Sequence, residues 1–308
     1  MSVTYDVVVI GQGPAGVSAA VYAVRSGLSV LLIGRDTGSL AKADKIENYY
    51  GFVDPVSGPD LLQRGLDQAS RLGIERVQDE VTGIRWEDTF LVETPTRHVQ
   101  AVSIVLATGM PRRKAAVPGL AAYEGRGVSY CATCDGFFYR GKTVAVIGNG
   151  AYALKEAAEL KPFAATIYLL TNGRELETDV ADAELVIRQD KIARLEGDDE
   201  KVRRLVLTNG DTLDVDGVFV AEGTASALDL ALKLGLDNDG KVILADKQQA
   251  TNLPGLFAAG DCTGGLLQIA VAVGEGAQAG MSAAAYVRGL SGEKMQMVHW
   301  GEHIRDQS

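Results

Sequence analysis

The residues with the clearest chemistry are two cysteines separated by two positions, Cys131 and Cys134, in the segment CATCDG at 131–136. This spacing lets the two sulfurs close a disulfide, and a nearby cation or helix N-terminus lowers the pKa of a thiolate. Asp135 follows directly and could exchange a proton with a leaving thiolate, with a helix-capping role as the alternative. The segment predicts thiol–disulfide redox chemistry.

A zinc site is the competing interpretation of such a pair, but it needs two more cysteines or histidines at ligand spacing. The chain has three cysteines and three histidines, and the remaining cysteine, Cys262, stands alone. His299 and His303 have helical spacing but lack a third ligand. We therefore expect no metal, and we interpret Cys262 as a small buried apolar side chain.

A glycine-rich loop, GQGPAG at 11–16, joins an apolar strand pattern to a helix pattern of small residues. Gly11 permits a tight turn, Gly13 lets backbone N–H groups approach a pyrophosphate, and Gly16 lets the helix pack on the strand. Asp36 ends the next predicted strand, where a carboxylate accepts a hydrogen bond from a ribose hydroxyl. The loop predicts a dinucleotide site.

A second loop of this kind, GNGAYA at 148–153, offers Gly148 and Gly150 as a phosphate cradle, with Tyr152 and the small Ala153 opening the following helix. The stretch after its next strand, TNGRELETD at 171–179, has one arginine and three carboxylates. An NADP site needs a cationic clamp for the 2′-phosphate. The loop therefore favours an unphosphorylated adenine dinucleotide such as FAD or NADH, and a loop kept only for packing is the alternative.

Apolar runs predict the buried parallel strands that position these loops. They lie at 7–10, 29–33, 104–107, 143–147, 166–170 and 218–221. Helices at 15–26 and 151–161 complete two β-α-β units, and hairpin patterns at 81–94 and 202–215 follow them. The chain therefore predicts an α/β fold of two Rossmann-like dinucleotide-binding domains, three-layered and with small β-meanders, the second inserted in the first. We assign 1–113 and 243–308 to the first domain and 114–242, with the redox pair, to the second.

The composition excludes some classes of binding partner and indicates the cellular compartment. The 308 residues include 30 Lys and Arg against 40 Asp and Glu, so the net charge of −10 has the wrong sign for binding nucleic acid. The apolar stretches fall short of the ~18 residues that span a bilayer, and no signal peptide is visible. Three cysteines are too few for a secreted disulfide framework, so we expect a cytoplasmic protein.

The motifs, in this order, resemble the low-molecular-weight thioredoxin reductase family over nearly the whole chain. The segments that carry the resemblance are GQGPAG, IENYYGF at 46–52, LATG at 106–109, GRGVSYCATCDG at 125–136, GNGAYA and PGLFAAGDCTGGLLQIAVAVGEG at 254–276. The resemblance implies an FAD-dependent thiol/disulfide oxidoreductase that forms a homodimer. It also implies a thioredoxin-like protein or a small dithiol or disulfide as the partner.

The resemblance assigns roles to individual residues. Cys134 would face the flavin, Cys131 would meet an external disulfide, and Asp135 would be the acid/base. The residues that it places around FAD are Gly11, Gly13, Pro14, Ala15, Gly16, Asp36, Asn48, Val81, Thr108, Gly109, Gly260, Asp261, Gln268 and Ile269.

Departures from the family pattern indicate a different electron donor. Family members that use NADPH carry a basic H-R-R-x-x-x-R where this chain has TNGRELE at 171–177, and DTGSL at 36–40 replaces a Gly-Gly-Gln run. Leu266 and Leu267 stand where the family has Tyr-Arg. We therefore expect a branch that does not use NADPH in the usual way and either holds a second flavin or takes electrons from ferredoxin.

The alternatives stay open at this point. The basic run at 112–114 could dock an acidic carrier such as ferredoxin, although it could equally be a solvated charged segment, and the net charge opposes such a carrier. Trp300 in the C-terminal tail could fold over the flavin, or the tail could be untethered. An NAD(P)H-dependent reductase and a non-catalytic flavin redox sensor are the other functions that the sequence allows.

Overall fold

The computed structural model describes residues 4–35, 38–110, 117–178 and 184–292. The strands, in chain order, are β1 (Thr4–Ile10), β2 (Val30–Ile33), β3 (Glu75–Val77), β4 (Gly83–Trp86), β5 (Phe90–Glu93), β6 (His98–Leu106), β7 (Val128–Ser129), β8 (Thr143–Ile147), β9 (Thr166–Leu170), β10 (Leu185–Arg188), β11 (Ile192–Gly197), β12 (Val202–Leu207), β13 (Thr212–Asp214), β14 (Gly217–Val220) and β15 (Leu256–Ala258). The α-helices are α1 (Pro14–Arg25), α2 (Gly58–Arg71), α3 (Ala132–Asp135), α4 (Ala151–Leu160), α5 (Ala227–Leu234) and α6 (Ile269–Leu290).

The first sheet has the strand order β3-β2-β1-β6-β5-β4, with β15 added on β6. Strand β1 is parallel to β2 and β6, so Val8 lies between Leu31 and Ile104. Strand β6 pairs antiparallel with β5 through Ala101 and parallel with β15 through Ile104. The chain thus leaves this sheet after β6 and returns to it only with β15, as expected when a second unit is inserted in the first.

The second sheet, in the order β10-β9-β8-β14-β7, is parallel throughout. Strands β11, β12 and β13 form a separate antiparallel meander, whose last hairpin turns at Gly210 with a φ of 92°. The predicted α/β class and the repeated β-α-β unit are confirmed. The domain boundaries stay a prediction, and the first of them falls within 111–116, outside the described residues.

Helices α1 and α6 pack backbone against backbone because two glycines of α6 leave no space for a side chain. A Cβ on Gly276 would lie 2.1 Å from the carbonyl oxygen of Ala15, and a Cβ on Gly280 would lie 2.3 Å from that of Ala19. This contact places Gly276 of α6 against Ala15 of the first glycine-rich loop. The two residues are 261 positions apart in the chain.

The first sheet and the inserted unit share a cluster of buried apolar side chains. Buried Ile84 of β4 belongs to the same core cluster as Leu230 of α5 and Val146 of β8. An ion pair between Lys155 of α4 and Glu93 of β5, 2.9 Å apart, adds a polar contact between the two units. Within the described residues, no helix is long and apolar enough to cross a membrane.

Candidate redox and cofactor site

The first glycine-rich loop has the geometry of a pyrophosphate cradle. Gly11 has a φ of 116°, and a Cβ there would lie 2.1 Å from the carbonyl oxygen of Ala107; a Cβ on Gly16 would lie 1.8 Å from that of Gly11. A Cβ on Gly13, by contrast, would meet nothing within 4 Å. Gly13 caps α1 without a side-chain hydrogen bond, and Pro14 follows at N1. The helix N-terminus therefore faces open space, where a phosphate can accept from backbone N–H groups.

Further residues predicted around FAD surround this loop. The Thr108 hydroxyl is buried and has no hydrogen-bond partner among the described residues, which fits a ligand that supplies one. A Cβ on Gly260 would lie 2.8 Å from the Cβ of Ala15, so the segment that begins there touches α1. Burial raises the pKa of the neighbouring Asp261.

Asn48 and Gln268 are brought together although 220 positions separate them. The Asn48 side-chain amide donates to the Gln268 side-chain oxygen over 2.9 Å, and Ile269 begins α6 directly afterwards. Val81 is buried at the entry to β4, and Gly109, with a φ of 71°, ends the LATG turn after β6. Asp36 lies outside the described residues. The described residues of the first site fit FAD, although their individual roles stay predictions.

The two cysteines form a disulfide across the start of α3. Cys131 caps this short helix, and the Cys134 N–H donates to the Cys131 sulfur over 3.1 Å. The Ser129 hydroxyl donates to a carboxylate oxygen of Asp135 over 2.7 Å and accepts from the Cys131 N–H over 3.1 Å. Asp135 is therefore held within residues 129–136, which we call the redox loop, and its acid/base role stays a prediction.

The two sulfurs differ in accessibility. Cys131 is 4% exposed, whereas Cys134 is an exposed residue whose sulfur lies 4.0 Å from the Leu232 carbonyl oxygen. An external thiol that approaches this conformation meets Cys134 first. The predicted meeting of Cys131 with an external disulfide would therefore require the redox loop to move.

Three charged residues beside the redox loop escaped the sequence analysis. Glu156 and Glu159 of α4 contact the two residues between the cysteines, and Lys233 of α5 pairs with both carboxylates. The only local signal was the i, i+3 spacing of the two glutamates, which puts them on one face of a helix. The spacing does not predict which part of the chain packs against this face of α4.

The second glycine-rich loop keeps the packing part of its motif. A Cβ on Gly148 would lie 2.2 Å from the carbonyl oxygen of Ala221 and 2.6 Å from the Cβ of Ala153, so only glycine fits beside this small residue. Tyr152 is 1% exposed and its hydroxyl has no partner among the described residues. Burial raises the pKa of Tyr152 well above its ordinary value.

The Glu177 carboxylate lies beside the predicted phosphate cradle of the second glycine-rich loop. Gly150 caps α4, and a Cβ there would lie 3.1 Å from an oxygen of Glu177. The Glu177 N–H donates to the Asn149 carbonyl oxygen over 2.9 Å, and its side chain forms an ion pair with Arg35, two residues after β2. A second dinucleotide at this loop would have Glu177 as a neighbour, and its binding stays a prediction.

The described part of this segment, residues 171–178, has its one cation already engaged. Arg174 is the only cation in 171–178, and it pairs with Glu222. Asn172 accepts from the Ile192 N–H over 2.9 Å, and Thr171 is fully buried. The basic run at 112–114 and the tail with Trp300 lie outside the described residues. Within the described part of the chain, no cluster of three or more His, Cys, Asp and Glu side chains could hold a metal.

Residues 5–276 match the model of the pyridine nucleotide-disulphide oxidoreductase family. The chain belongs to this family. It is 34% identical to the thioredoxin reductase of Listeria monocytogenes serovar 1/2a, over 93% of this chain and 95% of that protein. It is therefore a thioredoxin-reductase-like flavin disulfide oxidoreductase, as the motifs predicted, and the family implies FAD as its cofactor.

Two solved structures of such oxidoreductases are similar to this one. The atypical thioredoxin reductase TRi from Desulfovibrio vulgaris Hildenborough has a TM-score of 0.87 and 42% identity, covering 92% of this chain and 98% of that chain. A ferredoxin-flavin thioredoxin reductase from Clostridium acetobutylicum has a TM-score of 0.69 and 32% identity, covering 94% and 99%. The first of these reductases is described as atypical, and the second is named for ferredoxin and flavin.

Proposed function

We propose that this protein passes two electrons between FAD and the Cys131–Cys134 pair without using NADPH as the donor. The observation that carries the proposal is the Glu177 carboxylate at Gly150, held in place by Arg35. A dinucleotide phosphate at this helix N-terminus would have to displace that carboxylate. The 2′-phosphate of NADPH would also find Arg174 already paired with Glu222.

The donor that we favour is a protein electron carrier, with ferredoxin as the model case. The similarity to a ferredoxin-flavin thioredoxin reductase supports this choice. Reduction of the disulfide takes two electrons and two protons and yields two thiols. A one-electron carrier must therefore deliver twice per cycle, and FAD supplies the chemistry that stores the pair of electrons.

The partner at the disulfide is a thioredoxin-like protein or a small dithiol or disulfide. Phe137 and Phe138 stand three and four positions after Cys134 and are 61% and 68% exposed. Large exposed apolar side chains beside a reactive group favour docking of another protein. We further propose that the enzyme works as a homodimer in the cytoplasm, where a cycling dithiol pair is kept functional by the reducing conditions.

A second candidate is a diflavin enzyme with another FAD in the second site. The glycines of GNGAYA and the α4 N-terminus, which lacks a side-chain cap, favour it. It requires Glu177 to leave Gly150. Flavin released from the purified protein, counted per polypeptide, separates the two candidates: one flavin is expected, and two would establish the diflavin form.

The donor is tested by anaerobic titration of the FAD-loaded enzyme with NADPH, followed by dithionite. Two missing charge-assisted hydrogen bonds, each worth about 1.5–3 kcal/mol, mean roughly two to four decades of lost affinity. We expect NADPH to bleach the flavin slowly or not at all, while dithionite, a dithiol and reduced ferredoxin bleach it readily. Rapid, saturable bleaching by micromolar NADPH would overturn the proposal.

A further inference from the structure

A buried ion pair between Glu156 and Lys233 lies beside the redox loop. The exchange of the disulfide does not itself require these two charges. The side chains of Glu156 and Lys233 are 1% and 6% exposed, and they contact each other directly. Removing two charges from water is costly, and apolar replacements of such pairs are often as stable. Stability alone therefore does not account for a charged pair at this position.

The second partner of Glu156 connects the pair to the disulfide. Its other carboxylate oxygen accepts the Ala132 N–H over 2.7 Å, and Ala132 is the fully buried residue that follows Cys131. Glu159, one turn further along α4, accepts from the Thr133 hydroxyl and lies 3.4 Å from the Lys233 ammonium. Both residues between the cysteines are thus held by side chains of α4.

Lys233 lies close to Tyr152, and the residue before it lies close to Cys134. Its ammonium lies 5.6 Å from the centre of the Tyr152 ring, and the carbonyl oxygen of Leu232, the preceding residue, lies 4.0 Å from the Cys134 sulfur. Burial raises the pKa of Glu156, while Lys233 and the Ala132 N–H act in the opposite direction. The charge on Glu156 therefore depends on the cation beside it.

We propose that Glu156 and Lys233 are positioning residues that set the equilibrium between the disulfide and the dithiol. The carboxylate, kept charged by Lys233, fixes the Ala132 backbone in the turn that brings the two cysteines together, through a charge-assisted hydrogen bond. A neutral acceptor holds this turn less tightly, so the charged pair favours the disulfide. When the enzyme is reduced, the S–S bond between Cys131 and Cys134 breaks. An external dithiol supplies two electrons and two protons and itself becomes a disulfide.

The experiment equilibrates the FAD-loaded enzyme anaerobically with mixtures of reduced and oxidised dithiothreitol, then quenches with acid and alkylates the unfolded chain. Mass spectrometry of the peptide with Cys131 and Cys134 gives the reduced fraction, and buried Cys262 supplies a thiol that is free throughout. This readout needs neither an electron donor nor turnover, so it does not depend on the proposed function.

Glu156→Gln keeps an oxygen for the Ala132 N–H but loses the charge. We expect about a tenfold shift of the equilibrium toward the dithiol, which makes the reduction potential of the cysteine pair ~30 mV less negative. Lys233→Met should shift it equally, because the unpaired carboxyl takes up a proton, whereas Lys233→Arg should restore the parent value. Lys161→Gln, which removes an ion pair with Glu184 at the far end of α4, is the matched control and should change nothing.

A parent-like equilibrium in Glu156→Gln would overturn the proposal, as would an equal shift in Lys161→Gln. If either single variant fails to fold, the double variant Glu156→Gln/Lys233→Met leaves no unpaired buried charge and should show the same tenfold shift. A folded double variant with the parent equilibrium would also overturn it. A purely structural role would lower the melting temperature without moving the equilibrium.

Discussion

Cys131 and Cys134 occupy different environments although only two residues separate them. The Cys131 sulfur is buried and accepts the Cys134 N–H, whereas Cys134 is exposed. The roles predicted for them, Cys134 toward the flavin and Cys131 toward an external disulfide, follow from the family resemblance. A direct assignment needs a measurement that distinguishes the two sulfurs.

Serine substitutions provide that measurement. Cys131→Ser leaves Cys134 as the one thiol of the pair, and if this sulfur faces the flavin its thiolate should form a charge-transfer band with oxidised FAD. We expect the band in the visible absorption spectrum of Cys131→Ser and not of Cys134→Ser, with full FAD content and no disulfide turnover in both. The band in Cys134→Ser alone would reverse the assignment.

At the scale of elements, the contact between α1 and α6 joins the two ends of the FAD site. Gly276 lies against the Ala15 carbonyl oxygen, whereas a Cβ on Gly274, two residues earlier in the same helix, would meet nothing within 4 Å. The two glycines therefore differ in packing but share a helix. This makes Gly274 a matched control for Gly276.

Gly276→Ala should push α6 away from α1 and lower the free energy of unfolding by about 1–3 kcal/mol, the usual cost of overpacking. Gly274→Ala should raise it by about 0.5–1 kcal/mol, because alanine is the better helix former. Urea unfolding, together with the FAD retained after gel filtration, measures both effects. Equal stability of the two variants would show that the helices separate without cost.

At the scale of the whole molecule, ion pairs connect the first sheet to the inserted unit, among them Arg35 with Glu177 and Lys155 with Glu93. The first pair is partly exposed, so its contribution to stability is small, about 0–1 kcal/mol. We expect its larger effect to be on dinucleotide binding, since it holds a carboxylate beside the second glycine-rich loop.

Glu177→Ala should therefore leave the melting temperature nearly unchanged and raise the affinity for NADH at least about tenfold, the equivalent of 1.4 kcal/mol. Glu175→Ala removes a carboxylate from the same segment, but the Glu175 contact with Asn149 uses its backbone oxygen, so this variant is the control. Quenching of NADH fluorescence measures the affinity. Identical affinities in the two variants would mean that Glu177 does not close the cradle.

Much of this molecule could be predicted from local pattern. Strands β8 and β9 begin and end where their apolar runs do, and α1 and α4 follow the two glycine-rich loops. The packing roles of Gly11 and Gly16 also follow from the motif, because each depends on neighbours a few residues away or on the adjacent strand. The cysteine spacing identified the redox pair for the same reason.

The tertiary structure decided what local pattern does not contain. Glu177 lies near Gly150 through a loop and pairs with Arg35, 142 positions away, and Glu156 reaches Ala132, 24 positions away. A glycine-rich loop reads the same in sequence whether its helix N-terminus faces a phosphate or a carboxylate of the chain. A buried glutamate likewise reads as a solvated helix residue, because its partners are set by how helices and sheets pack and not by its neighbours in the chain.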